Sequence, residues 1–388
     1  MANIIEKSFS LNLKVLNFLG LYSFGESSVV LKIRAFILYF VFLVLVTILT
    51  FINTVTEKSS NNMETNAMVS FLAETVSFSF KLVPFLLKSE RIRECINFFG
   101  EDCFAPKTDQ ERKIIEECVW VCRRNSTVYF YVILVTHICW NFPVLFVKGR
   151  QLPLSLWLPY DSSATALNYY FTFTYIATAI LYAAYSGTII DPLMGGLAYH
   201  ATAQLKILKQ NLQYIDKHED HTLSNSNEDI IEYHCVYKHL EQCIGHHNKI
   251  LWFVDEYEEC FSWSVFCQLA GSMFAVCFCC IGLTLISVNS VEGFTYIALI
   301  IDVSFQILFY CHYGTLLYEE SNDLKTAIYM GPWYKCDIKI RKILLIIMER
   351  AKRPMLITAG KVVDVTVRTF LSVLKTSYSL IAVLNNYE

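Results

Sequence analysis

The residues in this chain best suited to chemistry are ionisable groups set inside apolar runs. Glu74 and Lys81 interrupt one such run, Asp191 closes another, Asp302 lies within a third, and Asp364, Arg368 and Lys375 punctuate the last. A charge in hydrocarbon is costly unless paired or wetted, so residues of this kind mark ion paths, gating contacts or buried pairs. Glu74 and Lys81 are seven apart and share a helical face. Lys81 is near enough to the end of its run for its stem to snorkel, which leaves Glu74 the stronger functional candidate. Asp191 precedes Pro192, where a helix break or cap accounts for it as well as function does. Asp302 is deeper and is a candidate for gating or for folding. Toward the C-terminus, Lys361, Asp364, Arg368, Ser372, Lys375, Ser379 and Asn386 recur by threes, fours and sevens, which on a helix would draw one polar stripe. The stripe is either a seam buried against neighbouring helices or one wall of an aqueous path between subunits. The second reading is favoured because repeated charges suit water better than packing.

Other chemistry is poorly supported. His218, Glu219, Asp220 and His221 lack a second ligand pair at metal-binding spacing and sit in a polar loop, so no metal site or cofactor is expected there. His246 and His247 read as helix-surface residues, and Cys277, Cys279 and Cys280 as small apolar fillers. No HExxH, P-loop or GxSxG motif occurs, so no catalytic residue is assigned and an enzyme is not expected.

The elements that must position these groups are long helices. With 54% hydrophobic and 17% charged residues, the chain carries more apolar surface than a soluble domain of 388 residues could bury. Its net charge of −3 gives no cause to expect nucleic acid as a partner. Four runs contain no Asp, Glu, Lys or Arg: Ala35 to Val55, Ser126 to Val147, Asn168 to Ile190 and Phe261 to Val288. Three more carry the ionisable residues: Ala67 to Leu87, Phe294 to Tyr318 and Val362 to Leu384. Each is long enough for a helix to cross a bilayer core of about 30 Å. An all-α membrane protein with seven transmembrane helices follows, because lipid leaves backbone groups no partner outside a helix or a closed barrel.

Lys and Arg outside the spans fall 26 to 3 in favour of the segments on the N-terminal side, which puts the N-terminus in the cytoplasm and the C-terminus outside. The N-terminal stretch has no cleavage site after a short apolar core and reads as retained, not as a signal peptide. Residues 1–388 form a single seven-helix membrane domain, with cytoplasmic helical extensions around 88–126, 200–260 and 319–359 and a last helix at 360–384. Of the 14 cysteines, none falls in an external loop, so no disulfide framework is expected.

The stretch from Arg353 to Leu384, RPMLITAGKVVDVTVRTFLSVLKTSYSLIAVL, resembles the C-terminal signature of the insect odorant receptor family. His246 to Phe278 resembles the family's fifth-helix region, and YEES at Tyr318 to Ser321 its sixth-helix exit. Leu380, Ile381 and Ala382 depart from the aromatic and Thr that many members carry. The resemblance implies an odour-binding subunit in the plasma membrane of olfactory sensory neurons. That subunit would assemble with a shared co-receptor into a tetrameric, odour-gated, non-selective cation channel. The seventh helices would line the pore, with Val383, Asn386 and Tyr387 at the gate. The ligand would be a small, volatile, apolar molecule held by Phe71, Thr75 and Phe78 on the second helix; His137, Trp140 and Asn141 on the third; Tyr170, Phe173 and Ile176 on the fourth; and Tyr296, Ile297 and Ile300 on the sixth. Ordinary bundle packing is the alternative for each of these residues.

The main rival is a gustatory receptor-type channel subunit, whose last helix carries a Gln-Phe pair that KTSYSLIAVL lacks. A transporter would show internal repeats, and none is found. A G-protein-coupled receptor is opposed by the charge asymmetry.

Overall fold

The apolar runs form helices, in which every residue but those at the ends bonds its own backbone. The computed structural model describes residues 4–25, 29–56, 62–141, 152–162, 164–214, 228–284 and 291–385. Helix α1 spans Ile4–Leu19, α2 Val29–Tyr39, α3 Leu45–Thr56, α4 Asn62–Leu87, α5 Ser89–Asn97 and α6 Asp109–Asn141. Then follow α7 Ala166–Thr188, α8 Ile190–Gln213, α9 Glu228–Thr284, α10 Val291–Met330, α11 Ile338–Ala351 and α12 Val367–Asn385. A π-helical turn, Phe40–Val44, joins α2 to α3, and a two-stranded hairpin, β1 Thr358–Ala359 with β2 Val363–Asp364, stands between α11 and α12.

Five stretches among the described residues are long and apolar enough to cross a bilayer: Val29–Thr56, Met68–Leu87, Ala166–Gln213, Val236–Thr284 and Tyr296–Met330. The other two expected spans fall short for identifiable reasons. Helix α6 is described only to Asn141 and begins with a charged half, and most side chains of α12 beyond Thr376 lie outside the described residues. Helix α9 has 57 residues. At 1.5 Å per residue it is about 85 Å long, far more than a bilayer core requires.

The main core gathers Phe9, Leu13 and Leu16 of α1, Phe98, Phe99 and Phe104 after α5, and most of α8, against α9 and α10. A smaller cluster of Val46, Leu154, Leu156, Ile176 and Ala179 lies where α3, α7 and the segment 152–158 meet. Phe36, Ile37, Phe40, Ile48 and Phe51 leave the α2–α3 arm exposed and apolar, the face a lipid-contacting helix presents.

Candidate functional site

Four helices bring the intramembrane charges together. Lys81 on α4 has no exposed side-chain surface and is paired with Asp191, equally buried, at the start of α8. Lys81 therefore does not snorkel, and Asp191 is more than a cap: the bundle excludes water from both. Tyr310 on α10 donates to the same Asp191 oxygen. Lys81 Nζ also donates to Gln268 Oε1 on α9 at 3.4 Å. The Gln268 amide donates in turn to Gln306 Oε1 at 3.0 Å, Ser272 Oγ at 2.9 Å and Glu74 Oε1 at 3.3 Å. Gln306 reaches Asp302 at 3.4 Å. Glu74 and Asp302 thus belong to one network with Lys81 and Asp191. The second oxygens of Asp191 and Glu74 are buried without a hydrogen-bond partner among the described residues. Removing one member of such a set leaves its partners desolvated and uncompensated, so the network holds α4, α8, α9 and α10 in one arrangement. The sequence exposes the charges but not the partners. Gln268, Gln306 and Tyr310 look unremarkable in a row of letters and are found only through contacts nearly 40 to over 180 positions away along the chain.

The ligand-site candidates divide. Phe71 and Ile176 meet at the smaller apolar cluster, with Ile176 wholly buried. Phe78 packs against Gly187 of α7, where a Cβ would stand 2.9 Å from its ring, and Lys81 Nζ lies 5.6 Å from the Phe78 centroid. One face of α4 therefore carries both aromatic candidates and charge network. Thr75 is buried and its hydroxyl donates to Leu72 O within the helix. Tyr296 is buried against Gly282 of α9, which has room for the ring only because it lacks a side chain. Ile297 and Ile300 are half-buried. Phe173 packs at a tilt against Tyr169, whereas Tyr170 is 61% exposed and points away from the bundle. The Asn141 amide donates to His137 O at 2.9 Å, so these two bond each other. The side chain of Trp140 lies outside the described residues, as do Asn386, Tyr387 and the side chain of Val383. Around Phe71 and Ile176, Tyr175 donates to Val41 O inside the π-helical turn at 2.8 Å, and Tyr160 bonds Thr172 at 2.8 Å. Both tyrosines escape a reading by depth alone.

The last helix begins later than its polar spacing suggests. Lys361 and Asp364 lie on the hairpin, not on α12, so the helical stripe starts at Arg368. The reason is local. Gly360 and Lys361 both adopt positive φ, +61° and +60°, which ends any helix there. A side chain at Gly360 would press on Phe266 of α9. The hairpin is locked to α9: Glu258 accepts from the Thr358 backbone at 2.7 Å and from its hydroxyl, Ser262 Oγ donates to Thr358 O at 2.7 Å, and Lys361 pairs with Glu259. On the α10 side, Ser321 accepts from Met355 N at 2.8 Å, Thr315 accepts from Val367 N at 2.9 Å, and Gly314 leaves room for Val365 O. The three motif stretches, separate in sequence, meet at this one joint. Beyond it, Arg368, Ser372, Lys375 and Ser379 are exposed along one side of α12.

Long apolar helices enclosing a buried ionic centre define an all-helical membrane protein. The family model described as 7tm Odorant receptor matches residues 61–378, and the chain belongs to that family; it is a membrane receptor, not an enzyme. Odorant receptor Or1 of Anopheles gambiae is 22% identical over 338 residues, covering 83% of this chain and 81% of that one. Odorant receptor Or2 of the same mosquito is 27% identical over 298 residues, 74% of each. The fold is also that of the olfactory receptor OR5 from Machilis hrabei in complex with eugenol: TM-score 0.84, 15% identity, 99% of each chain covered.

Proposed function

We propose that this chain is the odour-binding subunit of a ligand-gated, non-selective cation channel, assembled as a tetramer with a shared co-receptor in the plasma membrane of olfactory sensory neurons. The observation that carries the reading is the exposed polar side of α12. A span displaying Arg368, Ser372, Lys375 and Ser379 would be unstable against lipid, so it calls for neighbouring subunits and water beside it. A ring of four Arg368 or Lys375 side chains around one lumen would repel cations, which argues for mixed subunits and for a pore wall reached only by the helix end at Val383, Asn386 and Tyr387. The 26 to 3 bias of basic residues supports an N-terminus in the cytoplasm.

The ligand of this reading is a small volatile molecule bound chiefly by apolar burial near Phe71, Phe78, Ile176 and Tyr296. The Machilis receptor's eugenol, a compact aromatic, supports that chemical class. Ligand contact on α4 and α10 would be felt at Glu74, Lys81, Asp302 and Tyr310 on the same two helices, and through α9 and α10 at the hairpin that launches α12.

Co-expression with the co-receptor should give odour-evoked cation currents whose permeability ratios change on Asn386→Ala. This chain expressed alone should give none. A robust current from the chain alone, or ratios indifferent to the substitution, would overturn the channel assignment. Tags at residues 1 and 388 should stain intact cells only at the C-terminus.

A further inference from the structure

Away from the charge network, three buried side chains converge where α1 crosses α6 and α8. Cys118 and Cys122 lie one turn apart on the same face of α6, and His200 faces them from α8. Both sulfurs and an imidazole nitrogen lie within 4.8 Å of one another, and each residue is 1% exposed. The protonation of the imidazole follows from its outer partner. Ser8 Oγ donates its one proton to Ile4 O at 3.0 Å, so at 2.9 Å it can only accept from the His200 Nε2–H. The lone pair is then on Nδ1, which is buried, turned toward the cysteines and without a hydrogen bond of ordinary geometry. Phe9 and Phe99 hold the ring at 5.7 and 5.8 Å between centroids. Gly196 admits the Phe9 ring, and its carbonyl takes a long contact from Cys122 Sγ at 3.7 Å.

We propose that Cys118, Cys122 and His200 form a resident zinc site that ties α6 to α8 under α1. Thiolate and imidazole donors select a borderline or soft cation over Mg²⁺ or Ca²⁺. Binding is Zn²⁺ + 2 R–SH + imidazole giving a neutral dithiolate–imidazole zinc centre and two released protons. That centre adds no net charge to a dry interior, whereas copper(I) with two thiolates would leave one negative charge there. Ser8 accepting from the far ring nitrogen is the outer hydrogen bond that orients a ligating histidine. A disulfide is not the alternative: Cβ atoms four apart on a helix are about 5–6 Å apart, and a disulfide needs about 4 Å.

The test uses the full-length chain purified in detergent without chelators. Elemental analysis should find about one zinc per chain. The Cys118→Ser/Cys122→Ser double variant and His200→Ala should lose it, and Cys103→Ser, which alters an exposed thiol, should keep it. Because the first two variants could fail to fold, the wild-type chain is also stripped and reloaded with cobalt(II). The expected signature is thiolate-to-cobalt charge-transfer absorption with tetrahedral d–d bands, bleached by added zinc. A monodisperse wild-type chain that holds no stoichiometric zinc and shows no cobalt band would overturn the proposal. So would retention of zinc in folded His200→Ala or the folded double variant, its loss in Cys103→Ser, or copper in its place.

Discussion

Helix α8 and the α2–α3 arm are both apolar, yet the bundle uses them in opposite ways. The arm is largely uncovered, and Phe36, Phe40, Ile48 and Phe51 face outward. In α8 nearly every residue from Ile190 to Leu208 is buried, including Asp191, His200, Thr202 and Gln204. The difference extends to their surroundings. Near α8 the core is continuous, aromatic and pinned by the Lys81–Asp191 pair, whereas near α3 and α7 it thins to a five-residue cluster bounded by a loop. Tight packing with few voids resists change of shape; a small cluster beside a loop can open for a ligand at lower cost. The foot of the bundle is thus suited to hold the helices and the α7 end to yield.

The sharpest way to break this comparison is Lys81→Ala. It should cost about 3–5 kcal/mol by stranding Asp191 in the interior, and the receptor should fail to reach the surface as a monodisperse species. Lys81→Met with Asp191→Leu should recover most of that loss; a stable Lys81→Ala single variant would show that the foot is not held by this pair.

Tyr296→Ala comes next. The ring fills the space against Gly282, so truncation should cost about 3 kcal/mol of stability as well as weakening the odour response. Thermal melting of the purified variant separates the two effects.

At the α7 end, Ile176→Val should lower stability by only about 0.5–1.5 kcal/mol while shifting the dose-response curve for large ligands more than for small ones. An equal shift for all ligands would remove Ile176 from the pocket wall. Smallest of all, Lys32→Gln removes an exposed pair with Glu90 at 3.4 Å and should leave melting temperature and response unchanged.

Much of the fold is legible in the letters. Uncharged runs at Ala35, Ser126, Asn168 and Phe261 announce helices because only a helix or barrel satisfies backbone in lipid. The motif stretches at His246, Tyr318 and Arg353 carry the family resemblance. The site is less legible. Periodicity carried the polar stripe back to Lys361, but the positive φ of Gly360 and Lys361 and their docking on Phe266 and Glu259 make that stretch a hairpin. A rule of spacing has no term for a long-range contact that overrides it.

Composition and hydropathy by themselves determined that this chain is helical, membrane-embedded and studded with a few costly charges. Transfer free energies act residue by residue, so the sequence carries them whole. Only the tertiary structure decided that Lys81 turns inward to Asp191 instead of reaching for water, that Gln268 joins Glu74 to Gln306, and that His200 faces Cys118 and Cys122. Those are pairings across different helices. Their energies depend on distance and on the exclusion of water between the partners, and both are fixed only once α4, α8, α9 and α10 have packed.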